Sequence, residues 1–192
     1  MSELASVAIR PAAAGDAAAI SRIYVETWRT TYAGMVPDRV LVGMSEARQR
    51  MRWAQWFQRP GGEFCIVAQD QGAGLVGFAS CGPARARPLA GAGIKAAGEV
   101  FTLYVLPDFQ GRGVGRRLLG GAFQGLADRR YDAAVVWVLA ANPARFFYEA
   151  LGGRRVAEQE ERLWGTRLPE YAYLWPDLSA ALAGDLRMKK RH

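Results

Sequence analysis

The chain has 192 residues, long enough for one sizeable hydrophobic core; 51% of it is apolar and 22% charged, the balance of a globular domain. No apolar run reaches the roughly 20 residues of a membrane-spanning helix, and residues 1–5 lack the basic-then-apolar layout of a signal peptide, so a cytoplasmic protein without a membrane partner is expected. The one histidine is the last residue, His192, which argues against Ser-His-Asp and Cys-His catalytic units. Cys65 and Cys81, with no internal histidine, point away from both a disulfide framework and a zinc site, and no metal is expected.

The net charge of +7, from 25 basic and 18 acidic residues, would suit nucleic acid, a membrane or an anionic cofactor. The arginines are scattered pairs, with no basic recognition helix and no strand of interleaved aromatic and basic residues. No nucleic-acid partner is therefore expected. The basic tail at 185–192 reads as a frayed end.

In chain order, Val7–Arg10 reads as a short strand stopped by Pro11. Asp16 is placed as the N-cap of a helix on which Ile20, Ile23, Tyr24, Thr27 and Trp28 share one face. Residues 32–37 break that pattern. A second helix begins at Ser45-Glu46, carries Met51, Trp53, Trp56 and Phe57, and ends at Pro60-Gly61-Gly62. Phe64–Gln69 and Leu75–Cys81 read as a hairpin closed by residues 70–74. Residues 82–98, with Arg85, Arg87 and Lys95, read as a long loop.

Glu99–Leu106 is expected to be a strand and Gly113–Arg129 a helix, with Val114, Leu118, Ala122 and Leu126 along its inward stripe. Ala133–Ala140 is continuously apolar, as in a strand covered on both faces. A short helix over 142–151 stops at Gly152-Gly153. Arg154–Glu158 and Tyr171–Trp175 read as the last strands, with a weak helix after Asp177. The order β-α-α-β-β-β-α-β-α-β-β, with no internal repeat and no linker, predicts a single α/β domain over 1–192 with a mixed sheet.

The most informative stretch is Gln110-Gly111-Arg112-Gly113-Val114-Gly115, where a strand hands over to a helix. Amides at a helix start have no internal partner and bind phosphate oxygens, and glycines let a ligand approach the backbone. A P-loop is rejected because no Lys-Ser or Lys-Thr stands where that loop needs it. A dinucleotide turn fits poorly. The glycines are spaced G-x-G-x-G, and Asp132, near the distance at which that turn wants an acid, begins its strand instead of ending it.

The pattern Q/R-x-x-G-x-G/A fits at every fixed position. It is preceded by Leu103-Tyr104-Val105-Leu106-Pro107 and followed by Asn142-Pro143-Ala144-Arg145-Phe146-Phe147-Tyr148-Glu149-Ala150-Leu151-Gly152. On these two blocks and the element order, the chain resembles the GNAT superfamily of N-acetyltransferases over nearly its whole length. The resemblance implies a mostly antiparallel central sheet flanked by helices, with acetyl-CoA as donor and a primary amine as acceptor. It implies direct attack in a ternary complex. Its pyrophosphate would lie at Gln110, Gly111, Arg112, Gly113, Val114, Gly115 and Arg116, with Arg117 nearby. Its pantetheine arm would lie along Leu103, Tyr104 and Val105, and the Val105 N–H would face the developing oxyanion.

The resemblance also implies that Tyr148 protonates the leaving thiolate and that Glu99 serves as general base. Asn142 and Phe147 complete the donor contacts. Each has a plainer reading. Tyr148 and Phe147 suit an aromatic core, Glu99 suits an exposed charge at a strand start, and Asn142 suits a helix cap. Period-two alternation would put Glu99, Phe101, Leu103 and Val105 on one face. Trp28 and Tyr32 are the acceptor-site candidates, and Trp28 at helical spacing also suits the core. Arg85, Arg87 and Lys95 suit an anionic acceptor, whereas Glu158, Glu160 and Glu161 suit a cationic one. Small-molecule and peptide amines both stay open, as do a monomer and a homodimer. A non-catalytic acyl-CoA sensor on the same fold is the alternative function.

Overall fold

A computed structural model describes residues 7–59, 61–85, 97–184 and 186. Seven strands form one sheet in the order β1-β2-β3-β4-β5-β7-β6. The strands are β1 (Val7–Pro11), β2 (Phe64–Asp70), β3 (Gly74–Pro83), β4 (Ala97–Val105), β5 (Ala133–Leu139), β6 (Arg154–Leu163) and β7 (Thr166–Trp175). The helices are α1 (Ala17–Thr31), α2 (Asp38–Val42), α3 (Glu46–Trp56), α4 (Val114–Ala127), α5 (Ala144–Ala150) and α6 (Leu178–Ala183). β1–β2, β5–β7 and β6–β7 are antiparallel, and β4 runs parallel to β5 over Ala97–Val100 and Ala133–Val136. The sheet is thus mixed and mostly antiparallel, as expected.

Two compact units are distinguished, Met1–Ser80 with Thr102–Leu118, and Cys81–Phe101 with Leu119–His192. In the first, α1 buries Ile20, Ile23, Val25 and Thr27. Asp16 stands at the start of α1, but its carboxylate does not cap that helix. It accepts from the Ala13 amide at 2.8 Å and from the Arg10 guanidinium at 2.7 and 2.9 Å, closing the turn before the helix. Ser45 does cap α3, accepting from the Arg48 amide. The β2–β3 turn forms as expected: Asp70 Oδ1 accepts from the amides of Gly72 and Ala73 at 2.9 Å, and Gly74 takes a φ of +76°. Gly77 of β3 is there for space, since a Cβ would stand 2.8 Å from the Tyr104 carbonyl oxygen.

In the second unit, β5 is buried along nearly its whole length, as a strand between neighbours should be. Of α4, this unit holds the fully buried Leu119, Phe123 and Leu126; each such side chain contributes about 1.5–3 kcal/mol of transfer free energy. Phe123 packs edge-on against Trp175 at 5.0 Å. The expected helix after Asp177 is present, and Asp177 caps it by accepting from the Ala180 amide.

Three expectations change. The last two strands are much longer than Arg154–Glu158 and Tyr171–Trp175: they form a hairpin of two ten-residue strands with Leu163 opposite Thr166, and Trp164 and Gly165 both at positive φ. That is the geometry of a tight two-residue hairpin turn, which Trp-Gly does not advertise as Asn-Gly would. α2 follows the stretch that breaks the helical pattern, its five residues too few to show periodicity. The expected loop at 82–98 is shortened at both ends, because β3 runs to Pro83 and β4 starts at Ala97.

In one unit Gly98 of β4 faces Leu126 of α4; in the other Val105 lies beside Leu118 and Tyr104 packs on Tyr24 of α1.

Candidate functional site

The glycine-rich turn follows β4 through a 3-10 turn at Pro107–Phe109. Gln110 folds back so that its side-chain Nε2 donates to the Val105 carbonyl at 2.9 Å. Gly111 and Gly113 then take φ of +68° and +79°, a region L-residues rarely adopt, and α4 begins at Val114. A Cβ at Gly111 would meet nothing within 4 Å, so this glycine is set by conformation and not by packing. Val114 is buried, whereas Gly111, Arg112, Gly113 and Arg116 are exposed and Gly115 and Arg117 half-buried. One buried anchor thus holds a solvent-facing loop at the start of a fourteen-residue helix. The first amides of that helix have no intrahelical acceptor, and its positive end favours an anion. The guanidinium of Arg112 lies over the Phe109 ring, 5.5 Å from its centroid.

The same unit brings together Trp28, Tyr32 and Tyr104. Trp28 Nε1 donates to the Tyr104 hydroxyl at 3.0 Å, and the Trp28 and Tyr32 rings lie 4.4 Å apart. Tyr24 joins them, stacked on Trp28 at 5.5 Å and edge-on to Tyr104 at 5.6 Å. Burial pushes the Tyr24 hydroxyl up to about 12 and that of Tyr104 well above the ordinary range, so both stay neutral donors. Tyr24 shares the helix face of Trp28 and is a further member of the candidate site. Its position one turn before Trp28 was the available signal. Leu103 is half-buried and Val105 buried.

In the second unit, Asn142 is buried and its Oδ1 accepts from the Ala144 amide at 2.9 Å, the capping role expected of it. α5 ends in a Schellman arrangement. The Gly153 amide bonds the Tyr148 carbonyl at 2.9 Å and the Gly152 amide bonds the Glu149 carbonyl at 3.0 Å, with Gly152 at φ +84°. Of the two aromatic-core candidates, Tyr148 is buried and Phe147 half-buried. A helix rotates successive residues by about 100°, so only one of the two can face the sheet. Tyr148 packs among Phe147, Tyr173 and Trp175, with centroids 5.2 to 6.2 Å away. The Tyr173 hydroxyl donates to Glu149 at 2.5 Å and Trp175 Nε1 donates to the Leu151 carbonyl at 2.8 Å.

Glu99 is neither an exposed charge nor a carboxylate without partners. Its side chain is 1% exposed and Arg85 holds it at both oxygens. The Arg85 amide donates to Oε2 at 2.9 Å, its Nε donates to Oε1 at 3.0 Å, and its Nη2 also bonds Oε1. These hydrogen bonds, more than bare charge, raise the Arg85 pKa further, so the guanidinium is always charged. The pairing was not read from the sequence, because fourteen positions separate the partners. Arg87 and Lys95 lie outside the described residues, as does the expected frayed tail at 185–192 apart from Leu186, which is buried. Among the described residues no group of three or more His, Cys, Asp or Glu could hold a metal ion, and no helix is long and apolar enough to cross a membrane.

The model of the Acetyltransferase (GNAT) family matches residues 17–153. An uncharacterized N-acetyltransferase of Bacillus subtilis, YuaI, is 35% identical over 174 residues, covering 91% of this chain and 95% of that protein. The structure of yncA from Salmonella typhimurium, with its cofactor acetyl-CoA, superposes with a TM-score of 0.66 at 25% identity, covering 90% of this chain and 94% of that one. The paia N-acetyltransferase of Thermoplasma acidophilum, in complex with coenzyme A, superposes at 0.60 with 17% identity, covering 86% and 98%.

Proposed function

Because the chain belongs to the GNAT family of acetyltransferases, we propose that it transfers the acetyl group of acetyl-CoA to a primary amine by direct attack in a ternary complex. The observation that carries this is the turn at Gln110–Gly115, where Gly111 and Gly113 at positive φ open the first amides of α4 to solvent. That donor set fits a pyrophosphate: main-chain N–H groups at a helix start, with Arg112, Arg116 and Arg117 beside them. Leu103, Tyr104 and Val105 receive the pantetheine arm, and the Val105 N–H stabilises the oxyanion. Asn142 and Phe147 contact the donor, and Tyr148 supplies the thiolate's proton. Trp28 and Tyr32 line the acceptor side. Glu99, engaged by Arg85, holds that arginine in place, and the proton lost by the ammonium goes to solvent. The whole chain acts as one acetyltransferase domain, as a monomer or homodimer.

Acetyl-CoA at 100 times its Kd should stabilise the fold by about 2.7 kcal/mol, raising Tm by roughly 5–10 °C for a chain of this size. Acetylation across a panel of amines should then release one thiol per amide formed. No Tm shift at millimolar acetyl-CoA would sink this reading. The engagement of Glu99 favours one second reading, an acyl-CoA sensor without turnover; it predicts the Tm shift and no thiol release.

A further inference from the structure

Gln110 opens the turn that the reading above gives to the pyrophosphate, yet its own donors are engaged inward. Its main-chain N–H bonds the Pro107 carbonyl at 3.1 Å, and its side-chain Nε2 bonds the Val105 carbonyl at 2.9 Å. The carbonyl of Leu106 takes the Phe109 N–H at 2.9 Å. The carbonyls of residues 105–107 are therefore closed into a clip by residues 109 and 110. In this clip only the bond from Gln110 Nε2 to Val105 is made by a side chain. All of these residues belong to one compact unit.

The peptides on both sides of Val105, which is itself buried, are restrained. The peptide that follows is held at both polar ends. Its N–H, on Leu106, donates to the Val76 carbonyl of β3 at 2.9 Å, and its carbonyl accepts from Gln110. The peptide that precedes has its carbonyl, on Tyr104, close against β3, where a Cβ on Gly77 would stand 2.8 Å from it. With both planes restrained, the direction of the Val105 N–H is set as well, because a residue has only two soft backbone angles. Gly111 and Gly113, whose positive φ shapes the turn, follow Gln110 within three residues. An anion seated there steadies the backbone from which the Gln110 side chain reaches back. Gln110 stands at φ −71° and ψ 161°, ordinary extended backbone, so its side chain can be exchanged without straining the turn.

We propose that Gln110 is a positioning residue: its side-chain amide couples the anion-binding turn to the Val105 peptide, so that seating the nucleotide end of the donor orders the N–H that faces the oxyanion. This rests on the transferase reading above. Gln110 acts through Val105 and touches no reacting atom. Binding energy gained at the remote end of the donor is spent on orientation at the reacting carbonyl, where a misdirected hydrogen bond costs rate and not affinity. The role demands an N–H donor of sufficient length, which a thioether of the same length is not.

The test uses the full chain with Gln110→Met, which keeps the length and loses the donor, and Gln110→Arg, which keeps a donor. ADP serves as a probe of the nucleotide end alone and is followed by amide NMR. In wild type ADP should shift the amides of residues 111–115 and also that of Val105. In Q110M the turn should respond as before, while the Val105 shift should fall at least about threefold. With acetyl-CoA, Q110M should lower kcat on the order of tenfold, less than loss of the oxyanion donor itself, while the Kd for coenzyme A changes less than about threefold. With acetylpantetheine, which lacks the pyrophosphate, the same substitution should lower kcat less than about threefold, so the two changes are not additive. Q110R should recover kcat to within about threefold of wild type. A Val105 response that persists in Q110M, an unchanged kcat, an equal loss of kcat on both donors, or no rescue in Q110R overturns the inference and leaves the transferase reading intact. A turn that ignores ADP, together with no Tm shift from acetyl-CoA, overturns both.

Discussion

Tyr148 and Glu99 show how burial redefines a functional residue. Both are candidates by motif position, yet one is packed among three aromatic rings and the other is held by an arginine. Burial and transition-state chemistry make different demands on Tyr148. If its hydroxyl protonates the leaving thiolate, Tyr148→Phe should lower kcat on the order of a hundredfold with KM little changed, because a proton donor acts in the transition state. Steady-state kinetics on the best acceptor decide this, and an unchanged kcat would make Tyr148 a packing residue alone. Burial also pushes the Cys65 thiol up to about 12, which disfavours the reactive thiolate at neutral pH.

Among the elements, α5 and its stop depend most on a single backbone geometry. Gly153 cannot carry a side chain there, since a Cβ would stand 2.7 and 2.8 Å from Trp175 ring atoms and 2.9 Å from the Tyr148 carbonyl. Gly153→Ala should therefore destabilise the protein by about 1–3 kcal/mol through overpacking. A urea melt should show a lower midpoint with an unchanged slope. An unaltered midpoint would mean that Trp175 swings aside at no cost. The β6–β7 hairpin illustrates the converse. Its turn places Trp164 at a φ of +52°, and the pairing of ten-residue strands holds it there against the local preference.

Across the whole molecule, stability should follow pH through a few named groups. Hydrogen bonds from Arg10 hold the Asp16 carboxyl below its ordinary 3.8. The unfolded chain therefore takes up this proton first on acidification, and the pair's contribution, full above about pH 4, is lost as pH falls through the lower folded value. Tyr24 works in the opposite sense. Its folded value of about 12 exceeds the ordinary 10.0, so the unfolded hydroxyl ionises first and stability declines as pH rises beyond 10. Tyr104 adds to the same alkaline loss. Scanning fluorimetry should find a Tm plateau between about pH 5 and 9 with a fall on each side. A Tm that climbs above pH 10 would contradict the assignment.

The local signals sufficed where local physics decides. The positive φ of Gly111 and Gly113, the Asn142 cap, the Gly152-Gly153 stop and the α4 stripe all follow from contacts within a few residues. The two motif blocks that carry most of them, with the element order, led to the family and the donor it implies. Only the tertiary structure could pair Arg85 with Glu99 or gather Tyr24, Trp28, Tyr32 and Tyr104. The physical reason is range. A cap or turn is closed by hydrogen bonds between near neighbours, whereas a buried ion pair or a shared sheet face exists only after strands distant in sequence have aligned.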